Sequence, residues 1–328
     1  MASGSDVSEL AMMSMPLWAG VPLNIYNLLL TLLQLWRSRK APVVNAVVCS
    51  ISLSNVLLSL SCFLLMLLVS TSAMATRDGQ MNPIFSAVLF LWLASCCVSF
   101  WSIAWLNVFY CVKVVSFSME CFGALKRNIS SLVGAALLLT FVVSCLLLSP
   151  FLTLRLVIYR LNGTHATNAS GPQNASYSAV IDFAPWINTT LYTATFICLL
   201  CPLPLMVMLP TSLRLVVHLC QHTLALRKNQ TQCQSSASYL QVCKLTVSLV
   251  GVYITTLLIV SFFFISHLQG DKISYHIVMV GCTFYCMSTA GLLTASNRHL
   301  KDRLRCGPCW KDPSEPASKG QSRETVLT

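Results

Sequence analysis

The amino-acid sequence predicts an all-α membrane protein: a bundle of seven transmembrane helices, with the N-terminus outside the cell and the C-terminus in the cytoplasm. Three observations carry that expectation. Hydrophobic residues make up 55% of the 328 residues and charged residues only 9%, whereas soluble domains carry roughly a quarter charged residues. The apolar residues fall into seven blocks, each near the roughly 20 residues a helix needs to cross a bilayer. Lys and Arg lie between these blocks in a one-sided way. A β-barrel would alternate apolar and polar residues, and the blocks do not alternate.

The blocks run approximately over residues 12–36, 46–69, 84–112, 129–154, 186–209, 245–266 and 276–295. Each lacks charge at its centre, and a lipid-embedded helix satisfies its own backbone before packing on its neighbours. The first block reads as a signal anchor, because the first 35 residues hold no Lys or Arg and no small-residue cleavage site. The third block opens the stretch around which the chain is organised, Trp92 to Ser118. It begins as an apolar helix and ends in Phe109-Tyr110, Lys113 and Phe117-Ser118. One end can face a ligand while the other faces a partner in water. Pro202, Pro204 and Pro210 in and just beyond the fifth block interrupt its hydrogen-bond ladder. Residues 1–295 form the membrane domain; residues 296–328 form a cytoplasmic tail with a short basic helix around Arg298–Arg305.

Charge sets the orientation. The links after blocks one, three and five, together with the tail, hold 17 Lys and Arg, and the opposite links hold 4. The positive-inside rule therefore places the tail in the cytoplasm. This distribution also explains the net charge of +11 without a nucleic-acid partner. Asn162, Asn168, Asn174 and Asn188 each start an Asn-X-Ser/Thr triplet in or beside the link after block four. By the charge count that link is extracellular, so at least one of these asparagines is expected to be glycosylated; Asn188 lies close to the membrane. None of the 16 cysteines falls in an outer link. Span cysteines behave as small hydrophobes and the cytosol is reducing, so no disulfide is expected.

Enzyme chemistry is missing. There is no His-Glu-X-X-His, no phosphate-cradling glycine loop and no paired carboxylates, and no cofactor is implied. Cys306-Gly-Pro-Cys309 has metal-ligand spacing but no second pair, which favours lipidation, or no role, over zinc. The ten acidic residues all lie outside the apolar centres. A transporter or channel, the alternative of a different class, would keep ionisable groups at mid-membrane or repeat its hydropathy pattern, and neither feature is present.

At the end of the third block, Leu106, Phe109, Tyr110, Lys113, Phe117 and Ser118 reproduce in register the Leu-X-X-Phe-Tyr-X-X-Lys and Phe-Ser pattern of the type 2 taste receptors, and the chain resembles that bitter receptor family. Trp92 and Trp101 fall where many members carry tryptophan. Weaker matches are Pro204, Leu219 and His222 in the fifth span, Lys244, Ser248 and Tyr253 in the sixth, and Asn297, Leu300 and Lys301 after the seventh. Departures are Asn55 at a position usually arginine, Cys96 for a polar residue, Thr289-Ala290 for a His-Ser pair, and Tyr239 for an inner-side histidine. The type 1 vomeronasal receptors, sensing pheromones or odorants, are the rival within the class, but they generally keep an outer-loop cysteine missing here. The rhodopsin-like Asp-Arg-Tyr, Cys-Trp-X-Pro and Asn-Pro-X-X-Tyr motifs are absent.

The resemblance implies a plasma-membrane receptor that is not an enzyme. It implies coupling to a gustducin-like heterotrimeric G protein and calcium release through phospholipase C. Leu106, Phe109, Tyr110, Lys113, Phe117, Ser118, His222 and Lys244 are the expected coupling residues. For Lys113 the other reading is a snorkelling helix anchor. Trp92, Cys96, Ser99 and Phe100 share one helix face by spacing and line a cavity if that face points inward; a lipid-facing tryptophan is the alternative. Tyr253, Thr256 and Tyr285 are further ligand-binding candidates, with helix packing as their other reading. With no acid in the membrane, the expected ligand is small, uncharged or weakly polar, and moderately hydrophobic.

Overall fold

The structure, a computed structural model, describes residues 4–37, 43–71, 73, 81–115, 120–160, 177–182, 187–228, 233–268 and 276–296. The described helices are α1 (Gly4–Arg37), α2 (Val43–Ser70), α3 (Pro83–Val114), α4 (Glu120–Leu148), α5 (Thr189–Leu200), α6 (Pro202–Lys228), α7 (Cys233–Leu268) and α8 (His276–Ser296). Six described segments are long and apolar enough to cross a membrane: Val43–Ser70, Pro83–Val114, Gly123–Thr153, Leu191–Gln221, Leu240–Phe262 and Ile277–Ser296. They coincide with blocks two to seven, and block one lies within α1.

The helical architecture carries one added element that is not helical. Between α4 and α5, β1 (Arg155–Arg160) and β2 (Tyr177–Asp182) pair antiparallel, with Arg155 opposite Asp182 and Arg160 opposite Tyr177. The segments read RLVIYR and YSAVID. Both are rich in the β-branched and aromatic residues that suit a pleated ribbon, and each is too short to span a bilayer. The helices also outrun the apolar blocks. α6 continues past block five through Arg214 to Lys228, and α7 begins before block six, because a helix that satisfies its own backbone need not stop where lipid ends.

α3 is the axis of the bundle, packing on α2, α4, α5, α6 and α7. Its entry is set locally: Asn82 caps the Ile84 amide at 3.0 Å, and Pro83 takes a first-turn position where no amide donor is needed. Ile103, Leu106 and Phe100 of α3 join Ile51 and Leu58 of α2, Leu249 and Tyr253 of α7, and Tyr285 of α8 in the main core. α4 lies at the edge, with Leu138, Leu139 and Leu146 strongly exposed on its outer face.

The prolines explain several inter-helix contacts. Pro150 ends α4 in a 3-10 turn, Ser149–Thr153, and cannot donate to the carbonyls one turn before it. The Ser149 hydroxyl donates to the Leu146 carbonyl at 2.8 Å, and Tyr192 of α5 donates to the Leu147 carbonyl at 2.7 Å. The fifth block is interrupted at its prolines: α5 ends at Leu200, Cys201 caps it with its amide still on the Ile197 carbonyl at 2.9 Å, and α6 starts at Pro202. Amides at 202 and 204 would otherwise serve the carbonyls of Cys198 and Leu200. Trp101 Nε1 of α3 donates to Leu199 at 3.2 Å, and the Tyr253 hydroxyl of α7 lies 3.0 Å from the Leu200 carbonyl and 2.8 Å from that of Cys201. Pro210 sits inside α6, which continues through it.

Removing such a donor strands a carbonyl in an apolar surrounding. Tyr192→Phe is expected to destabilise the protein by about 1–3 kcal/mol. Thermal melting in detergent measures it, and an unchanged midpoint would show that the Leu147 carbonyl is satisfied in another way.

Candidate functional site

The spacing of Trp92, Cys96, Ser99 and Phe100 puts them on one face of α3, and that face turns into the bundle. Cys96, Ser99 and Phe100 are buried and Trp92 is partly buried against the core. The Phe100 ring is wedged edge-to-face between Tyr253 of α7 and Tyr285 of α8, with centroids 4.9 Å away in both cases and interplanar angles of 88°. This is the favoured geometry for rings of opposed edge and face charge. Both tyrosines are wholly buried, and each spends its hydroxyl elsewhere: Tyr253 on the α5–α6 break, Tyr285 on Ser99 at 2.8 Å. Thr256, also buried, donates to the Val252 carbonyl of its own helix at 2.9 Å.

The Tyr285–Ser99 contact belongs to a ring of hydrogen bonds whose direction can be worked out. Ser99 donates to Asn55 Oδ1 at 2.8 Å, so its one proton is used and Tyr285 must donate to Ser99. Asn55 Nδ2 donates to Thr289 Oγ1 at 2.8 Å, and Thr289 donates back to the Tyr285 carbonyl at 2.7 Å. The ring closes through α2, α3 and α8. α1 joins through Asn24, whose Nδ2 donates to the Cys286 carbonyl at 3.2 Å and whose Oδ1 accepts from Asn55 at 3.4 Å. One turn further along, Asn27 donates to the Ala290 carbonyl at 3.1 Å and accepts from Thr294 at 2.8 Å. Among the described residues, the buried polar side chains are neutral: Asn, Ser and Thr, with the hydroxyls of Tyr253 and Tyr285. The site can therefore orient neutral polar groups, but it offers no buried charge to neutralise an ion.

Next to this ring, toward Trp92, the lining turns to sulfur. Cys96 neighbours Cys62 of α2 and Cys282 of α8, and the Cys62 thiol lies 2.8 Å from Met279 Sδ. No group among the described residues has the geometry to hold a metal ion. Trp92 Nε1 is buried and makes no hydrogen bond to the protein. The polar group beside it is the Cys282 thiol, and sulfur is a weak acceptor. This surrounding is apolar and polarizable, with one strong donor met only by a weak sulfur acceptor.

At the other end of α3, Leu106 and Phe109 are buried in the core. Tyr110 meets Phe109 edge-to-face with ring centres 5.9 Å apart, and the exposed Lys113 places Nζ 5.6 Å from the Phe109 ring centre. Lys244 is exposed on α7. His222 lies in α6, with its side chain outside the description, and Phe117 and Ser118 lie outside the described residues. Asn162, Asn168 and Asn174 also lie outside them, in the stretch that joins β1 to β2. Asn188 is exposed, and its side-chain oxygen caps α5 on the Leu191 amide at 3.1 Å.

Asn24, Asn27 and Thr289 as members of the hydrogen-bonded ring were not singled out from the sequence as site residues. The signal available was an amide side chain inside an apolar block, which is costly in lipid unless paired. What it pairs with is a tertiary fact.

The family model for Taste receptor protein (TAS2R) matches residues 1–306. Taste receptor type 2 member 40 of Gallus gallus is 30% identical over 199 residues, which are 60% of this chain and 59% of that protein. Taste receptor type 2 member 4 of Rattus norvegicus is 28% identical over 137 residues, 42% of each. The chain thus aligns over less than two thirds of the length of either relative.

The ring of bonds makes a quantitative expectation. Asn55→Ala and Thr289→Ala remove two ends of one contact, so in a double-mutant cycle they should couple by about 0.5–3 kcal/mol. The readout is the thermal midpoint of the purified protein. Strict additivity would mean that the 2.8 Å contact carries no energy of its own.

Proposed function

Since the chain belongs to the taste receptor family, we propose that it is a seven-span plasma-membrane receptor for small, uncharged or weakly polar bitter molecules. It signals through a gustducin-type G protein to phospholipase C and calcium release. The charge asymmetry of the links supports an N-terminus outside and a cytoplasmic tail. In that orientation the Pro83 end of α3, with Trp92, faces outward, and Tyr110 and Lys113 face inward.

The observation that carries the ligand reading is Trp92 Nε1, a buried donor whose only neighbouring acceptor is the weak Cys282 sulfur, above the wedge of Phe100, Tyr253 and Tyr285. A ligand that brings one acceptor on an apolar body satisfies the donor and covers the sulfur-lined wall of Cys96 and Cys282. The absence of any buried carboxylate among the described residues explains the preference for neutral molecules, because nothing there would offset the desolvation of an ammonium.

Coupling runs along α3 and the α5–α6 break. Phe100 holds Tyr253 from one side, and the Tyr253 hydroxyl sits on the carbonyls of Leu200, which Pro204 leaves without a donor, and Cys201 from the other. A ligand that shifts the wedge loosens the hold on the break, and α6 pivots at Cys201–Pro202. The agonist acts by binding the opened arrangement more tightly than the closed one. The inner face that opens carries Leu106, Phe109, Tyr110, Lys113, Phe117, Ser118, His222 and Lys244. Of these, Leu106 and Phe109 act as packing that sets Tyr110 and Lys113. Glycans are expected at one or more of Asn162, Asn168 and Asn174, with Asn188 serving first as a helix cap.

The test is calcium release in cells expressing the chain with a gustducin-like chimeric G protein, challenged with a panel of bitter compounds. Trp92→Ala should abolish the response at unchanged surface expression. Trp92→Phe keeps a ring but loses the N–H, and should weaken potency by about tenfold, the worth of one hydrogen bond. Silence of the wild-type chain at the cell surface, or activation only by small primary amines, would count against the reading.

A further inference from the structure

Two buried polar groups toward the Val114 end of α3 are used by nothing described above. Asn107 is 0% exposed, and neither its carboxamide oxygen nor its nitrogen has a hydrogen-bond partner. Ser212 of α6 is also buried with its hydroxyl unpaired. Neither touches the Trp92 region: Asn107 is four turns further along α3.

Helix register places the two at one seam. Trp101 meets Leu199 of α5, and further along Cys111 packs in one cluster with Leu215 of α6, so α3 and the α5–α6 span run in the same direction. Asn107 precedes Cys111 by four residues and Ser212 precedes Leu215 by three. Steps of three and four keep to one helix face, so both residues lie one turn before the Cys111–Leu215 contact on the faces that make it. The seam is therefore between the aromatic wedge and the Tyr110–Lys113 end, and one of its walls is the helix that begins at the Cys201–Pro202 break.

A buried carboxamide and a buried hydroxyl left unpaired both oppose the arrangement that holds them. An arrangement in which they bond to each other is favoured by comparison. We propose that Asn107 and Ser212 are a latch that closes in the signalling state. When α6 pivots at the break, the Ser212 hydroxyl and the Asn107 carboxamide hydrogen-bond across the seam, and that bond draws the equilibrium toward the open form. Asn107 is thus a positioning residue, which acts through α6 and touches neither ligand nor G protein. The latch rests on the receptor reading given above.

The experiment uses the full chain. Asn107→Leu keeps the approximate volume and removes both polar atoms; Ser212→Ala removes the other half. Both variants should raise the thermal midpoint of the ligand-free purified protein, because an unpaired polar group has been removed from the resting state. Both should lower basal signalling and the maximal calcium response, through a shift of about tenfold in the resting-to-active equilibrium. The double variant should be no worse than either single one, since all three lose the same bond. Asn107→Ser, which keeps a donor and an acceptor, should recover part of the response. A fall in the ligand-free midpoint for both variants overturns the latch, as it would show that the groups are satisfied at rest. Independent, additive losses of signalling overturn it too, and so does full signalling by both variants beside a responsive wild type. A wild-type chain that never signals would instead overturn the receptor reading, and the latch with it.

Discussion

Inside an apolar bundle a freed backbone carbonyl has no water to turn to, and much of this structure follows from that constraint. Pro150, Pro202 and Pro204 each remove a donor from a helix that would otherwise be self-sufficient. Ser149 supplies a donor locally, and neighbouring helices bring further donors to these breaks through Tyr192, Trp101 and Tyr253. In this way a local defect in one helix specifies which side chains its neighbours must present and at what height. The break between α5 and α6 is the most heavily served of these sites, gripped by α3 on one side and α7 on the other. It is therefore both a weak point in one helix and the place where three helices are tied together.

The same constraint shapes the polar interior. Asn55, Ser99, Tyr285 and Thr289 close a ring in which every proton has a direction. A satisfied ring of neutral groups ties α2, α3 and α8 without the desolvation cost that a buried charge would carry. Asn55 and Thr289 are both departures, as read from the sequence, from the family pattern, and they are hydrogen-bonded to each other. Two departures that look unrelated along the chain are one contact in the fold.

α3 connects the two ends. Trp92 with its weakly met donor, the wedge at Phe100, the unpaired Asn107 and the Tyr110–Lys113 pair follow one another along a single helix. That helix is continuous from Pro83 to Val114, whereas the span beside it is divided at Cys201–Pro202, and the proposed pivot of α6 uses that difference.

Block positions, the proline break, the missing mid-membrane charges and the grouping of Trp92, Cys96, Ser99 and Phe100 on one face were all determined by the sequence alone. Each depends on local rules: span length, ring closure at proline, and helical periodicity. The tertiary structure decided the rest. That Phe100 sits between two tyrosines, that Tyr253 spends its hydroxyl on a distant carbonyl, and that Asn24 belongs to the ring of Asn55 all depend on the rotation and height of separate helices. Periodicity shows which residues share a face but not what that face meets. The β1–β2 ribbon escaped notice for a related reason: its short strands carry little periodic signal and form only because each has the other to pair with.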